Sequence, residues 1–593
     1  MNKSLLDYYQ ENLEYLRDQA SDFAREFPKI AARLEITENE CADPYVERLL
    51  EGAAFLASRV ERKLDESAPR LLESVLGNTV PAVFDLIPSF AVAELKDPDQ
   101  SIVAAAPDLP AGSRFEIMEE GSKSPCTFTT MLPISFLPIT LRETRYLTLD
   151  LGRFGLTAEA GLYMRFRKDG ELPASDAAGD DLLLYLNMSG TMASRLQQHI
   201  QTERGEIRVV SNGSTQLVEG LDFFIPMLDG EEGKANGNIF EQFAVFPAGF
   251  RFLKIHGFSS LLKRIKTTEE LELIITFEKR CPEFSQSIDS HSICLNCVPV
   301  CNLFRKQSDR MPLELKVQHH LVPDRTAPLD YEVSRVLDIN LFDNGNRKLL
   351  TLSPLYGTDL MTDSEESFNF FSVQRTPRQR GDTEKRRSSY TGQEVFVSFS
   401  GAKYREIRQE AVQFSADMLC TNRDLPLFLN RGAVLKAKEF SAFRSAVLIT
   451  TPTAPEEPLL SASDTEYMEK AACLMMPFAD ILWSKGTVSS ELLQKIIQLY
   501  IPAGQSDLSG LARSITDMES TPEIFRYVRR GQVFFESGWR VRLVLDEFSC
   551  AGIGAYVFGC VLRNILKNCK PVNMPAKIVL ETKQQGKVAE WMI

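Results

Sequence analysis

The stretch DPYVERLLEGAAFLASRVERKLDES, from Asp43 to Ser67, decides how the rest of the chain is interpreted. It predicts one long helix, because Asp43 is a good N-cap, Pro44 suits the first turn and Glu47 places negative charge where the helix dipole favours it. At about 1.5 Å per residue this helix is roughly 35 Å long, so we expect part of its apolar surface to face another chain. That surface is a continuous stripe at helical spacing, made of Val46, Leu49, Leu50, Ala53, Leu56, Ala57, Val60 and Leu64.

A first helix, expected from residue 4 to 27, precedes this stretch. Leu13, Leu16 and Phe23 lie at near-heptad steps before Pro28 ends the run, a pattern typical of helix-on-helix packing. Part of the long stripe can therefore be covered from within the chain, and part can face a partner. The sequence leaves both alternatives open.

The composition narrows the class of protein. With 593 residues the chain exceeds one hydrophobic core, so about three or four domains are expected. Its net charge of −14 disfavours nucleic acid and anionic membranes as partners, since both attract basic surfaces. The N-terminus lacks the pattern of a signal peptide, and the uncharged run from Phe548 to Leu562 is too short for a membrane span. Eleven cysteines at scattered spacing fit reduced thiols, so we expect a cytoplasmic protein without direct membrane insertion.

The pattern along the chain predicts an α+β multidomain fold, with an N-terminal helical region, β-rich central domains and a mixed α/β C-terminal domain. The segment from Thr450 to Asp464 contains three prolines and is the candidate linker and hinge. The expected division is residues 1–90 for the helical region, 91–291 for the first β-rich domain, 292–450 for the second, 451–464 for the linker and 465–593 for the C-terminal domain.

The motifs of common catalytic sites are absent from the sequence. Five histidines form no HExxH pair, and the glycines match neither GxGxxG nor a phosphate-binding GxxxxGK loop. A GxSxG elbow is also missing. We therefore expect no enzymatic activity, no catalytic residues and no cofactor.

A cysteine cluster is the one feature that resembles a metal site. Cys294, Cys297 and Cys301 are soft ligands at close spacing, with Cys281 and His291 upstream. The surrounding SICLNCVPVCNLF reads as one extended segment, which places Cys294 on the face opposite Cys297 and Cys301. Buried structural thiols are the favoured interpretation, and zinc is the alternative.

A basic loop between two predicted strands is the second candidate. The segment from Gln374 to Ser389 is polar and unpatterned, and we expect it to be mobile. It is interpreted either as a solvated loop or as a clamp for an acidic partner surface. Its basic residues are Arg375, Arg378, Arg380, Lys385, Arg386 and Arg387.

Five stretches together resemble the TssF family, a family of baseplate subunits of the bacterial type VI secretion system. The likeness is weaker after Asp464. The stretches are YYQENLEYLRDQASDFAREFPKIAARL at Tyr8 to Leu34, DPYVERLLEGAAFLASRVERKLDE at Asp43 to Glu66, IFEQFAVFPAGFRFLKIHGF at Ile239 to Phe258, CVPVCNLFRKQSDRMPLEL at Cys297 to Leu315 and LCTNRDLP at Leu419 to Pro426.

This resemblance implies a structural role and a fold like the baseplate wedge proteins of contractile phages. It implies that two copies join one TssG and that this unit recruits TssK. Six such wedges then surround the hub and spike at the cytoplasmic face of the bacterial inner membrane, with sheath components as further partners. No catalytic residues carry over from the family.

We expect the N-terminal helices to form a bundle with a second copy of the chain and with TssG. Three other functions remain open: a different contractile-tail or phage-like baseplate wedge subunit, an enzyme such as a hydrolase, and a zinc-binding module. The candidate partner-binding residues are Leu13, Leu16, Phe23, Val46, Leu49, Leu56, Val60 and Leu64.

Overall fold

The computed structural model divides the chain into two compact units, Met1–Phe84 with Leu460–Met476, and Asp85–Leu459 with Pro477–Ile593. The fold combines α-helices with a larger share of β-strands. The structure describes residues 5–33, 43–65, 81–98, 108–118, 122–168, 181–211, 214–229, 239–258, 261, 270–314, 316–355, 369–378, 387–438, 442–458, 460, 470–471, 486–487, 490–501, 509–529, 531–550, 552–568, 570 and 574–593.

The described α-helices begin with those predicted near the N-terminus. A further short helix, which the sequence predicts from about Pro69 to Leu76, lies outside the described residues. The helices are α1 (Leu5–Glu26), α2 (Pro28–Ala31), α3 (Pro44–Asp65), α4 (Gly190–Thr202), α5 (Pro226–Asp229), α6 (Ile239–Val245), α7 (Phe284–Ser287), α8 (Ala402–Ile407), α9 (Ser490–Leu499), α10 (Ser509–Ser514) and α11 (Ala555–Asn568).

Six strands of the second unit close into a barrel. The strand β1 (Phe90–Pro98) lies antiparallel to both β15 (Cys297–Cys301) and β25 (Phe443–Leu448), with Phe90 opposite Cys301 and Ala93 opposite Leu448. In order around the barrel, the strands are β1 (Phe90–Pro98), β15 (Cys297–Cys301), β4 (Cys126–Thr130), β3 (Arg114–Ile117), β24 (Val434–Ala437) and β25 (Phe443–Leu448).

The barrel strands come from both sides of residue 291, where a domain boundary is expected from the sequence. Barrel closure pairs strands that are far apart in the chain, and a local sequence pattern carries no information about such pairing. The expected division into domains stays a prediction.

Two further sheets pack around helix α4. Ala193, Leu196 and Ile200 of this helix are fully buried, and they share a core with Leu273 and Ile275 of the longer sheet. That sheet is β10 (Ser214–Val218), β9 (Arg204–Ser211), β13 (Glu270–Phe277), β7 (Ala160–Lys168) and β6 (Ile139–Leu147). The other is β11 (Asp222–Phe224), β12 (Phe252–His256), β8 (Asp181–Leu186) and β14 (Ile293–Cys294).

An eight-stranded sheet follows, with its own core that includes the fully buried Leu341, Leu352 and Val397. Its strands are β16 (Phe304–Gln307), β23 (Gln413–Thr421), β19 (Glu332–Phe342), β20 (Lys348–Pro354), β21 (Asn369–Pro377), β22 (Gln393–Gly401) and β18 (His319–Leu321), with β17 (Met311–Pro312) beside β23. A small separate sheet pairs β2 (Asp108–Leu109) with β5 (Ile134–Ser135).

The C-terminal sheet is organised around helix α11. The strands β28 (Gln532–Leu545) and β29 (Ala576–Thr582) are parallel. Parallel neighbours need a crossover connection, and α11 lies in the segment that supplies it. Gly559 allows α11 to approach β29 closely, because a Cβ at this position would collide with the side chain of Leu580. The strands are β26 (Gly486–Thr487), β27 (Ile515–Arg529), β28 (Gln532–Leu545), β29 (Ala576–Thr582) and β30 (Gly586–Met592).

Aromatic side chains of the stretch IFEQFAVFPAGF join the barrel to this C-terminal sheet in one core. Phe246 stacks on Phe90 of β1 with ring centroids 5.5 Å apart. Phe243 stacks on Phe558 of α11 at 6.1 Å and meets Phe250 edge-on at 5.0 Å. Because all five rings are almost completely buried, this stretch serves packing.

The described start of the predicted linker lies along the first barrel strand. The hydroxyls of Thr450 and Thr453 accept hydrogen bonds from the backbone N–H groups of Val92 and Phe90, at 2.8 and 2.9 Å. Ile87 and Glu456 exchange backbone hydrogen bonds of 3.2 and 3.0 Å. These hydrogen bonds hold residues 450–456 beside β1 and the residues just before it, which local composition does not reveal. The expectation of a hinge in this segment stays a prediction.

Two buried asparagines connect the barrel to the eight-stranded sheet. Asn302 follows β15 and Asn422 follows β23, and neither is exposed to solvent. The backbone N–H of Asn422 donates to Oδ1 of Asn302 at 2.7 Å, and Nδ2 of Asn302 donates to Oδ1 of Asn422 at 2.9 Å. Asn422 also accepts the N–H of Thr127 at 2.8 Å and donates to the carbonyls of Pro125 and Asp330.

Replacing Asn422 by alanine leaves buried donors and acceptors without partners. We expect Asn422→Ala to lower the free energy of unfolding by about 2–4 kcal/mol, measured as a lower midpoint in urea. The control Gln216→Ala removes an exposed amide from the edge strand β10 and is expected to change stability by less than about 0.5 kcal/mol. Equal midpoints for both variants would contradict the connecting role of Asn422.

Candidate interaction surfaces

Helix α3 begins as its sequence predicts. The carboxylate of Asp43 accepts the backbone N–H of Tyr45 at 2.8 Å, which satisfies one of the unpaired donors of the first turn. Asn12 of α1 donates to Glu61, and Arg17 pairs with Glu47, so α1 and α3 run antiparallel.

The two helices contact each other through small residues. Ala54 and Ser58 of α3 are fully buried, together with Ala24 and Tyr8 of α1. These two residues of α3 lie about 100–140° around the helix axis from the centre of the predicted stripe, because each residue advances about 100°. The contact within the chain therefore uses a different face of α3 from the one that the large apolar side chains occupy.

The apolar stripe of α3 remains largely uncovered in the isolated chain. Leu49 is 73% exposed, Leu56 64%, Val60 61% and Leu64 63%. Leu13, Leu16, Phe23 and Val46 are half-buried between α1 and α3. The first helix thus covers only the edge of the stripe, and the four exposed side chains form an apolar helix face at the surface.

A long β-hairpin, β27 and β28, provides a second exposed surface, which the sequence analysis missed. Cross-strand pairs continue from Glu523 opposite Gly538 to Arg529 opposite Gln532. We call residues 523–538 the arm. β29 pairs with β28 only from Trp539 onward, and β26 pairs with β27 only at Glu519 and Ser520, so no other described strand lies beside the arm.

The arm exposes apolar side chains on both faces. Ile524 and Phe535 are each 72% exposed and Val528 is 66% exposed on one face, and Phe534 is 49% exposed on the other. A two-stranded ribbon is marginally stable by itself in water, so an arm of this composition is typical of a segment that another surface covers. The β-branched and aromatic residues from Ile524 to Val528 indicate only a strand, and they do not distinguish an arm from a core hairpin.

The cysteine segment is not one extended strand, so the expected placement of its side chains is wrong. A turn at Leu295 and Asn296 separates β14 from β15, and Asn296 has φ 55°. The turn brings Cys294 and Cys297 close together, so that each thiol shifts the pKa of the other. Cys301 is buried in the barrel, with Sγ 3.4 Å from Oγ1 of Thr129. No group of three or more possible metal ligands occurs in the described part of the chain.

Two arginines of the predicted basic loop bind groups elsewhere in the chain. Arg375 lies in β21 and donates to the carbonyls of Val333 and Ser334, so the loop expected from Gln374 onward begins later. Arg387 bonds to the carboxylates of Asp330 and Asp424. Arg380, Lys385 and Arg386 lie outside the described residues. A clamp made from all six basic residues is therefore excluded, because at least two of the guanidinium groups have partners within the chain.

Asp424 is the centre of this internal ion pair. Burial opposes its ionisation, but hydrogen bonds from Arg387 and Ser388 outweigh burial, so the pKa of the Asp424 carboxyl lies below its ordinary value. A lowered pKa in the folded state stabilises the protein above the pKa of the unfolded chain, about 3.9, and this stability is lost as the pH falls.

Asp424→Asn should therefore change how stability depends on pH. We expect the variant to be less stable than the wild type at pH 7 by about 1–3 kcal/mol, with the difference shrinking below about pH 4. Urea midpoints measured from pH 7 downward test this. Asp222→Asn, at an exposed carboxylate of β11, serves as the control with no expected pH-dependent difference. A constant difference for Asp424→Asn across the whole range would show that its charge is irrelevant.

Two cavities lined by described residues are too small to hold a substrate. A cavity of about 80 Å³ beside β18 and β22 is lined by polar residues that include His320, Glu332, Glu394 and Arg423. At about 30 Å³ per water molecule it holds roughly two or three waters. Glu332 is buried, which raises the pKa of its carboxyl, and its Oε1 accepts the N–H of Gln393 at 2.6 Å.

The buried histidines are packing residues. His199 lies 4.3 Å from the ring of Phe277, and His319 stacks on Phe399 at 5.2 Å, measured between ring centroids. Burial lowers the pKa of both imidazoles, so they are neutral near pH 7. Among the helices that the structure describes, none has the length and apolar character to cross a bilayer.

An exposed apolar helix face combined with a projecting apolar β-hairpin is typical of a subunit of a larger protein assembly. The model of the family described as "Type VI secretion system, TssF" matches residues 1–593. The chain therefore belongs to the TssF family of the type VI secretion system, which confirms the resemblance found in the sequence.

Relatives and solved structures agree with this assignment. The chain is 29% identical over 616 residues to the type VI secretion system component TssF1 of Pseudomonas aeruginosa, covering 100% of this chain and 98% of the relative. It resembles a chain of a TssK–TssF–TssG baseplate subcomplex with a TM-score of 0.70 and 19% identity, covering 92% of this chain and 98% of that one. A chain of a type VI baseplate complex gives a TM-score of 0.55 at 18% identity, with coverage of 99% and 98%.

Proposed function

We propose that this chain is a structural wedge subunit of a type VI secretion baseplate, acting through protein contacts and not through catalysis. Membership of the TssF family supports this function over another contractile-tail subunit. The observation that carries the proposal is the α3 face, where four large apolar side chains are each more than 60% exposed while the helix contacts α1 through Ala54 and Ser58.

The proposed partners are a second copy of this chain, TssG and TssK. The similar structure of a TssK–TssF–TssG subcomplex supports TssG and TssK. We further propose a stoichiometry of two copies with one TssG, around a hub and spike at the cytoplasmic face of the inner membrane, in a baseplate that also contacts the sheath. Two identical chains that meet one different subunit cannot make the same contacts with it, so each copy must use its exposed surfaces differently.

In this proposal the α3 face packs in a helical bundle with the second copy and TssG. The exposed residues Leu49, Leu56, Val60 and Leu64 supply the contact, and the half-buried Leu13, Leu16, Phe23 and Val46 flank it. Burying each large aliphatic side chain is worth about 1.5–3 kcal/mol, enough for a few of them to decide whether a complex survives purification.

The triple variant Leu49→Glu, Leu56→Glu, Val60→Glu tests this contact by co-expression with TssG. We expect co-purification to be lost, because three carboxylates would have to be buried in the bundle. The free chain should keep its secondary structure and unfolding midpoint, since the replaced side chains are exposed in it.

A matched control adds carboxylates to α1 at exposed polar positions, through Gln10→Glu and Gln19→Glu. This variant should co-purify as the wild type does. If the triple variant still co-purifies with TssG, the α3 face is not the contact. The mass of the wild-type complex tests the stoichiometry independently, and a ratio other than two chains to one TssG would contradict it.

We also propose that another subunit of the same baseplate covers the arm. Phe535→Asp combined with Ile524→Asp should leave the stability of the free chain within about 0.5 kcal/mol, because both side chains are 72% exposed. The same variant should fail to enter a baseplate assembled from co-expressed subunits, measured by native mass spectrometry. The control Thr521→Asp introduces one such carboxylate at an exposed position before the arm. Normal assembly of the double variant would show that the arm is not needed.

A further inference from the structure

The sequence Cys294-Leu295-Asn296-Cys297 forms a short turn between two sheets of the second unit. Cys294 ends β14 and lies opposite Tyr185 of β8. Cys297 begins β15 and lies opposite Glu94 of β1. Asn296 adopts the left-handed conformation with φ 55°, which asparagine tolerates well, and its carbonyl accepts the N–H of Leu95 at 2.7 Å. The backbone of this turn is therefore fixed at both ends.

The turn places the two thiols next to each other with unequal access to solvent. Cys297 is fully buried, with Sγ 3.4 Å from the carbonyl oxygen of Leu295. Cys294 is only half-buried, with Sγ 3.7 Å from the carbonyl oxygen of His291. The two thiols are also close enough for each to shift the pKa of the other. A small reagent can thus reach Cys294, and Cys297 lies directly behind it.

The charges around the pair favour a thiolate on Cys294. The hydrogen bond from Cys297 lowers the pKa of the Cys294 thiol, opposed by burial and Glu94 and assisted by Lys96 and Arg431. The same hydrogen bond, together with burial, raises the pKa of Cys297 well above its ordinary value. The thiolate is the nucleophile in disulfide exchange, so the accessible member of the pair is also the more reactive one.

We propose that Cys294 and Cys297 form a reversible dithiol–disulfide site that reacts with low-molecular-weight disulfides. The Cys294 thiolate attacks one sulfur of the reagent, which forms a mixed disulfide and releases the other half as a thiolate. Cys297 then attacks Sγ of Cys294, which releases the second half and closes the Cys294–Cys297 disulfide, and its proton goes to the departing thiolate. Two protein thiols are oxidised, and one small disulfide is reduced to two thiols.

The other nearby cysteines lack this arrangement. Cys301 is buried inside the barrel, and burial raises the pKa of its thiol. Cys281 is half-buried, and burial also raises the pKa of its thiol. A disulfide between Cys294 and Cys297 would join the last residue of β14 covalently to the first residue of β15. Oxidation would therefore fix the connection between the four-stranded sheet and the barrel.

Thiol mapping of the full-length chain with oxidised glutathione tests the proposal. The protein is incubated at neutral pH with a chelator present, and the remaining thiols are alkylated. The tryptic peptide Cys281 to Arg305 is then analysed by mass spectrometry. We expect this peptide from the wild type to lose two alkylatable thiols, to carry no glutathione, to contain the Cys294–Cys297 disulfide and to regain both thiols with dithiothreitol.

Single variants separate the two roles. Cys297→Ser should stop at the mixed disulfide, with one glutathionyl group on Cys294. Cys294→Ser should leave Cys297 unmodified, and the matched control Cys301→Ser should oxidise as the wild type does. The proposal is overturned if both thiols of the wild type stay alkylatable, if glutathione stays on wild-type Cys294, or if the disulfide uses Cys281 or Cys301. The wild-type mapping decides the question even if a variant fails to fold.

Discussion

The second unit depends on the hydrogen bonds between Asn302 and Asn422. Each asparagine ends a strand, one in the barrel and one in the eight-stranded sheet, and both are completely buried. A buried amide without partners costs about 1–3 kcal/mol, so each loop holds its position only while the other is in place. Asp424, two residues further on, binds Arg387 and Ser388 and extends the same connection to the segment before β22. The stretch LCTNRDLP, from the end of β23 onward, therefore connects the two sheets inside the protein.

The interior contrasts with the two exposed apolar surfaces. Inside the second unit, large aromatic rings such as Phe243 and Phe558 fill the core. Small residues occur where two elements approach closely, as Gly559 of α11 does where this helix contacts β29. In the helical hairpin the order is reversed, because Ala54 and Ser58 face inward while Leu56 and Val60 face solvent. A helix that needed only to stabilise its own chain would bury the leucines. This reversal is the physical reason to assign α3 to an interface.

Local features of the fold were predictable from the sequence. The cap at Asp43, the helix boundaries near Glu26 and Asp65, and the apolar helix after Gly554 follow from short-range chemistry. Barrel closure and the placement of Arg387 depend on partners that are distant in the chain. The Cys294–Cys297 turn depends on the positive φ of one residue, Asn296. Hydrophobic periodicity in the sequence predicts none of these features. The sequence predicted the apolar stripe of α3. Which residues of the stripe stay exposed to solvent depends on how α1 packs against α3, and the sequence does not show this packing. The arm was missed because alternation in a strand does not say whether neighbouring strands continue beside it.

Both apolar surfaces have a cost in the free chain that its partners remove. Exposed side chains such as Leu49 and Phe535 favour association, and a net charge of −14 opposes unspecific aggregation by mutual repulsion. Repulsion acts over the whole surface at distances up to about 8–10 Å in physiological salt, whereas apolar attraction needs complementary contact. Only a partner that covers these faces closely therefore gains enough to overcome the repulsion. The combination selects for specific assembly, which is the property that a structural subunit of a complex requires.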